Sequence, residues 1–276
     1  MLLSAADLKI DHVTIAGRDL KPIRAALESI GIPTVYGGAH ANSVTEMALA
    51  SFPDGSYLEA ITLQTNPDAA AVDRHEWAKF LKSPGMPAAW ALQAEDLASF
   101  HTSEPLGPAV RAGRVRPDGM KLEWETVNIG RETRGTLFPF LIHDLTPRER
   151  RAFPAGQPTN RDYRGVARVV VAVRNLDSAI ARYRAAFGLP EAVRQTDRDF
   201  GAELAVMGDF PVVLARPLAS DSWLGTRVEQ FGEGPCAFVL TAAGRTPAAA
   251  SRKSRWFGRE VAWFDPAKLG WRLGVQ

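Results

Sequence analysis

Sulfur chemistry is nearly absent from this chain. A single cysteine, Cys236, stands among 276 residues, so no disulfide can form within the chain. That usage suits a reducing cytoplasm. Long apolar runs are missing too. The longest, Val169 to Val173, has the length of a strand and is far too short to span a membrane. No apolar core of a signal peptide precedes the first strand, so a cytoplasmic location is expected. Charge of one sign is also lacking, with Lys and Arg together at 33, Asp and Glu at 31, and a net +2. The basic runs at Arg148 to Arg151 and Arg252 to Arg255 have no interleaved aromatics, so they read as solvated surface and not as a nucleic-acid interface. The glycines around Gly37 and Gly232 lack the spacing and Lys-Ser/Thr ending of a phosphate loop, so no nucleotide cofactor is expected.

What is present is a repeat. Ile10-Asp11-His12-Val13-Thr14-Ile15 runs into Asp19-Leu20 and closes at Gly31. The pattern returns at Ala88 to Leu97, closing at Gly107, and at Val166 to Leu176, closing at Gly188. Each copy reads as an alternating strand, then a helix capped by Asp or Asn, then a C-terminal glycine. Strands are expected at 34–36, 46–52 and 57–63 in the first unit. The second unit has them near 88–93, 113–116, 121–129 and 137–142, with a hairpin turn at Pro117-Asp118-Gly119. A short helix is expected around Trp77 to Leu81. A fourth unit reads as strands at 236–241, 260–264 and 270–275, with a helix at 248–253. Residues 146–163, rich in Pro and Arg, read as a linker between domains at 1–145 and 164–276.

Four βαβββ units in tandem resemble the vicinal oxygen chelate superfamily of glyoxalase I, extradiol dioxygenases and bleomycin-resistance proteins. The first half resembles glyoxalase-like domains at Asp11-His12-Val13, Gly37 to His40, Asp54 to Glu59, Arg116 to Gly119 with Trp124, and Phe138-Pro139-Phe140. The second half resembles a generic superfamily domain at Asn175-Leu176-Asp177, Gly232 to Pro235 and Trp263 to Pro266. The resemblance implies an α+β fold, with units pairing into two cup-shaped, mainly antiparallel sheets and helices outside. It implies metal ligands on the first and last strands of a unit, which carries over to His12 and Glu59. Alternation agrees: His12 and Thr14 lie opposite Val13 and Ile15, and Tyr57, Glu59 and Ile61 lie opposite Leu58 and Ala60.

The other units depart from that pattern. Unit two has Ala89 at the histidine position and Phe140 or Ile142 near the glutamate position; unit three has Arg168 and then Leu214 or Ala215. A third ligand is therefore expected at His40, in a Gly-rich turn, with Glu123, Glu125 or His143 as runners-up. The cation of Arg168 argues against a metal in the second half. Thr14, Tyr57, Trp124, Phe140 and Arg116 are the expected substrate contacts, and Glu125 the proton-moving carboxylate. Trp90, Trp124, Phe138 and Phe140 read as core or as substrate wall. Arg114 and Arg116 read as anion partners or strand-edge ion pairs. His75 and His101 read as surface residues without a role, and Cys236 as a buried thiol and no nucleophile.

The leading expectation is a metal-dependent enzyme of isomerase, lyase or dioxygenase type. It would act on a small vicinal-oxygen substrate with Zn, Fe, Mn, Co or Ni. The alternative is a metal-free small-molecule binding or sequestration protein of the drug-resistance kind. No membrane partner is expected. The second half would cover the first or support a homodimer.

Overall fold

The computed structural model describes residues 8–276. The start of the first domain, and part of the stretch bearing on a signal peptide, lie outside the described residues. The first unit runs β1 (Lys9–Ala16), α1 (Leu20–Ser29), β2 (Val35–His40), β3 (Thr45–Ser51) and β4 (Tyr57–Leu63). Two short helices follow, α2 (Ala69–Arg74) and α3 (Ala78–Leu81). The second unit has β5 (Met86–Gln93), β6 (Val110–Val115), β7 (Lys121–Asn128) and β8 (Phe140–Asp144), and then α4 (Arg148–Ala152). The second half runs β9 (Tyr163–Ala172), α5 (Leu176–Phe187), β10 (Val193–Asp197), β11 (Ala202–Val206), β12 (Val212–Pro217), α6 (Trp223–Phe231), β13 (Gly234–Ala242), β14 (Ala250–Trp256), β15 (Arg259–Phe264), α7 (Pro266–Leu269) and β16 (Arg272–Val275).

The first eight strands form a closed barrel in the order β1-β4-β3-β2-β6-β7-β8-β5. Within each unit the first and last strands pair in parallel, β1 with β4 and β5 with β8. Between units the pairing is antiparallel, β1 with β5 and β2 with β6. The second eight form one open sheet, β10-β11-β12-β9-β13-β16-β15-β14. Local signals explain the helices. Asp19 accepts from Lys21 N at 3.0 Å to start α1, and Asn175 accepts from Ser178 N at 2.9 Å to start α5. Gly188 ends α5 with φ +64°.

The barrel and the sheet pack back to back. Val13 and Ile15 on β1, Trp90 and Leu92 on β5, Val169 and Val171 on β9 and Phe238 and Leu240 on β13 belong to one apolar core with α1 and α5. At Gly165 the halves come so close that a Cβ would lie 1.7 Å from Asp54 Oδ2. Among the described residues no helix is long and apolar enough to cross a membrane.

Two local expectations are corrected. Asp96-Leu97 starts a turn and no helix, with Ala98 N donating to Asp96 Oδ1 at 2.9 Å. The outer face of unit two is covered instead by α5, whose Tyr183 and Phe187 pack on Phe138 and Phe100. Residues 248–253 do not form a helix. They enter β14, where β15 supplies an antiparallel partner that outweighs helix propensity. The stretch expected as a linker, 146–163, contacts the barrel: Ser51 N donates to Thr159 Oγ1 at 2.7 Å, and Asn160 N to Ser51 O at 3.1 Å. Helix α6, which lies outside the expected elements, fills the second cup with Leu224 and Val228.

Candidate functional site

The barrel encloses a cavity of about 380 Å³. Its room comes from the second unit, where Ala89 and Ala91 on β5 pair opposite Thr14 and His12. The side chains of β1 and β4 alternate as the sequence requires. Val13, Ile15, Leu58 and Ala60 go to the outer core. His12, Tyr57, Glu59 and Ile61 line the cavity. Thr14 is buried beneath Glu59 and donates to its Oε2 at 3.0 Å. His40 is at the end of β2 and not in a turn. Its pairing with Arg114 of β6 helps close the barrel and turns both side chains inward.

Two imidazoles face one carboxylate. His12 Nε2 lies 3.7 Å from Glu59 Oε2, and His40 Nε2 lies 3.8 Å from Glu59 Oε1. The far nitrogen of each ring is tied down, His12 Nδ1 to Asp11 Oδ1 at 2.6 Å and His40 Nδ1 to Thr45 Oγ1 at 2.9 Å. Asn42 holds Thr45 in turn at 3.0 Å. Such outer contacts are what orient metal-ligating histidines. Burial, only partly offset by the nearby Glu59, pushes the His40 pKa down to about 4, so its ring is neutral at physiological pH. His12 also stacks on Tyr57 at 4.9 Å and meets the edge of Phe140 at 5.5 Å.

Asp11 is fully buried behind His12, beside a register irregularity in the β1–β5 ladder. Burial alone would raise its pKa. Arg151, then Arg148 and the His12 contact, overcome this and hold the carboxyl well below its ordinary range. Arg151 reaches Asp11 at 2.7 Å and 3.0 Å, donates to Tyr57 Oη at 2.6 Å, and also binds Asp144. Arg148 pairs with Asp11 and donates to Gly55 O at 2.6 Å. Arg148 and Arg151 are therefore buried or half-buried supports behind His12, and their reading as solvated surface is corrected, whereas Glu149 and Arg150 stay exposed: the local pattern looks exposed, but the partners of the two inward arginines lie far away in sequence.

The mouth is covered by the segment carrying α2 and α3. His75, Glu76 and Trp77 line the cavity, which corrects the reading of His75 as a surface residue. Glu76 pairs with Arg134 at 2.6 Å, and Trp77 Nε1 donates to Arg134 O at 3.0 Å.

The other expected residues divide. Trp124 and Phe140 line the cavity, whereas Trp90 and Phe138 belong to the outer core. Register settles the glutamate equivalent in unit two: Phe140 pairs with Ala91 as Glu59 pairs with Thr14. Glu125 is not in the cavity. Trp124 and Thr126 alternate inward, and Glu125 lies in an outer groove with His143, opposite it on β8. His143 Nδ1 contacts Ala94 O at 3.2 Å, and Glu123 pairs with Arg111 at 3.1 Å, so neither runner-up joins the site. Arg116 turns away to Arg150 O, Pro154 O and Asp118.

The second cup is filled. Phe200, Trp256, Trp263, Leu224 and Val228 occupy the face equivalent to the cavity. Arg168 has Arg259 as a neighbour in a small pocket. Cys236 is buried against Val170 O at 3.4 Å, and burial pushes its thiol up to about 12, which leaves it unreactive.

Among the described residues no group of three His, Cys, Asp or Glu is already gathered as a metal centre. His12, His40 and Glu59 come nearest. Bonds of roughly 2.0–2.2 Å put neighbouring donor atoms roughly 3 Å apart, and each imidazole nitrogen now stands 3.7–3.8 Å from a Glu59 oxygen, so the side chains must draw closer to share one ion. The donor types fit a divalent first-row metal.

A family model described as a glyoxalase-like domain matches residues 10–187. No curated protein matches the chain in sequence. Among solved structures, a hypothetical protein from Staphylococcus aureus aligns over 98% of this chain and 99% of its own, at 12% identity and a TM-score of 0.65. Methylmalonyl-CoA epimerase from Mycobacterium tuberculosis aligns over 41% of this chain and 87% of its own, at 17% identity and a TM-score of 0.36. A Streptomyces coelicolor methylmalonyl-CoA epimerase aligns over 40% and 94%, at 19% identity and a TM-score of 0.34. The first barrel is built of paired units, and the family model spans its whole length and most of the chain, so the chain belongs to the glyoxalase-like domain family of the vicinal oxygen chelate superfamily.

Proposed function

We propose that the chain is a metal-dependent enzyme that acts on a small molecule inside the first barrel. The observation that carries this reading is the convergence of His12 Nε2, His40 Nε2 and Glu59 while both Nδ1 atoms are held from behind. Two imidazoles and one carboxylate suit Zn, Fe, Mn, Co or Ni and leave positions open for substrate oxygens. A divalent metal there supplies Lewis-acid stabilisation of an oxyanion or enolate.

The chain's own residues have separate tasks. Asp11 fixes the His12 ring, and Thr14 fixes Glu59. Trp77, Trp124 and Phe140 wall the cavity and keep water from the substrate. With Glu125 outside, the carboxylate left to move a proton is Glu76, which lines the mouth and does not belong to the ligand set. Isomerase, lyase and dioxygenase chemistry are all consistent with this arrangement.

The test is metal content after loading, measured by plasma mass spectrometry. The wild type should hold metal. His12→Ala and Glu59→Gln should each lose it with an unchanged far-UV spectrum. Unchanged content in both variants, or a wild type that takes up no metal, would favour the second reading, a metal-free binding protein. The observations on its side are the aromatic cavity walls and donor atoms that stand wider apart than metal bonds require.

A further inference from the structure

The cavity holds a cation and an anion, Arg114 and Glu59, that form no Arg–carboxylate ion pair among the described residues. Four arginines line it. Arg111 has Glu123 at 3.1 Å, Arg134 has Glu76 at 2.6 Å, and Arg151 has Asp11 and Asp144. Arg114 has no carboxylate partner among the described residues. Its Nη1 donates to Gly37 O and its Nη2 to Arg151 O at 2.9 Å. Both acceptors are neutral carbonyls, and the residue is only 3% exposed. Burial pulls the Arg114 pKa down and the field of Glu59 only partly offsets it, and a guanidinium buried so far with no ion pair is costly unless a closer anion is supplied.

The backbone makes room for it. On β6, Val110, Ala112 and Arg114 alternate inward opposite Thr126, Trp124 and Leu122. A Cβ at Gly37 would sit 2.9 Å from Arg114 Nη1 and 2.1 Å from Met47 Sδ, so glycine is what admits the guanidinium. The matching unpaired anion is Glu59, whose neighbours are Thr14 and the rings of His12 and His40. Glu59 and Arg114 do not pair with each other, although both line the same cavity.

We infer that the natural ligand is a small carboxylic acid with a flat or ring-bearing body, its carboxylate received by Arg114 and its remaining oxygens directed to the His12, His40 and Glu59 end. This rests on the proposed function for the second contact only. The Arg114 contact stands on the unpaired charge. A guanidinium presents parallel donors that suit a carboxylate. Trp124, Phe140 and Trp77 supply the walls for the body. Arg116, the sequence candidate two residues on, lies outside the cavity lining, has Asp118 as a carboxylate partner, and has no part in it.

The experiment compares ligand pairs that differ only in charge: benzoate with benzamide, salicylate with salicylamide, and mandelate with mandelamide. Binding to metal-loaded, full-length protein is followed by quenching of tryptophan fluorescence and by calorimetry. At least one carboxylate should bind about tenfold or more tighter than its amide, the range of a hydrogen bond to a charged group. In Arg114→Gln that preference should shrink to about twofold or less, and Arg114→Lys should keep part of it. No carboxylate preference in any wild-type pair overturns the inference, as does an undiminished preference in Arg114→Gln. If Arg114→Gln fails to fold, Arg114→Lys decides the matter: a preference undiminished there overturns the role of Arg114 as its bidentate receiver. Metal content of the same samples separates the two ideas. Metal bound without carboxylate preference sinks only the role of Arg114. Carboxylate preference in protein that takes up no metal sinks only the metal centre.

Discussion

Asp11 shows how much one buried carboxylate organises. It accepts from two guanidinium groups and contacts the ring nitrogen of His12 that does not face the cavity. Asp11→Asn removes the negative charge and leaves Arg148 and Arg151 with only Asp144 between them. Breaking a buried pair in this way costs about 3–5 kcal/mol. Urea unfolding followed by circular dichroism should show that loss, and a change below about 1 kcal/mol would mean that water replaces the carboxylate. The sequence disclosed the inner end of this network and hid the outer end. His12 and Glu59 were legible because a strand has period two and their neighbours are plainly apolar. The same rule ran against the expectation of Glu125 in the site, since Trp124 and Thr126 claim the inward face and leave Glu125 in the outer groove. Arg148 and Arg151 were not, because they meet Asp11 across separations of 137 and 140 residues, and nothing local distinguishes them from a solvated run. His75 was hidden for the same reason, as only the folding of its segment over the mouth turns it inward.

Among the elements, the open edges of the second sheet are held by side chains where the first barrel uses backbone pairing. Gln195 on β10 donates to Arg255 O and accepts from Phe257 N at 2.8 Å. Asp197 accepts from Trp256 Nε1 on β14 at 2.6 Å. Burial raises the Asp197 pKa, but hydrogen bonds from Phe200 N and Trp256 prevail and set it below its ordinary value. The sign of the pH effect follows. As pH falls the unfolded chain binds this proton first, so the contribution is complete above about pH 4 and lost progressively below it. The stability difference between wild type and Asp197→Asn should therefore be constant near neutrality and shrink in acid, as read from thermal melts across pH. A difference that grows on acidification would contradict the assignment. The strands of this sheet were mostly visible as alternating runs. The exception, β14, carries Arg252, Lys253 and Arg255 on an edge, where charge is tolerated and apolar alternation is weak. The absent helix of unit two was not legible from Asp96-Leu97, because a good cap signals a start without ensuring a slot to pack in.

At the scale of the molecule the two halves share what each would otherwise lack. Helix α5 lies on the outer face of unit two, with Tyr183 Oη donating to Leu137 O and Arg182 bridging Glu104 and Glu132. The family match ends at residue 187, where α5 ends, so the matched region takes in the first barrel together with β9 and this helix from the second half. The second half also props the covering segment: Phe231 of α6 stacks on Phe80 of α3 at 5.0 Å, with Arg227 over both rings. Cut at residue 145, the first half would expose Trp90, Leu137 and Phe138, which now lie 0–2% exposed in the common core. Exposing several such side chains forfeits about 1.5–3 kcal/mol each, which is comparable with the whole stability of a domain. The intact chain should therefore unfold in one calorimetric transition, and a fragment of residues 1–145 should lack near-UV dichroism and bind hydrophobic dyes. Two resolved transitions, or a fragment with native-like near-UV signal, would show instead that the barrel stands alone and that α5 merely rests on it.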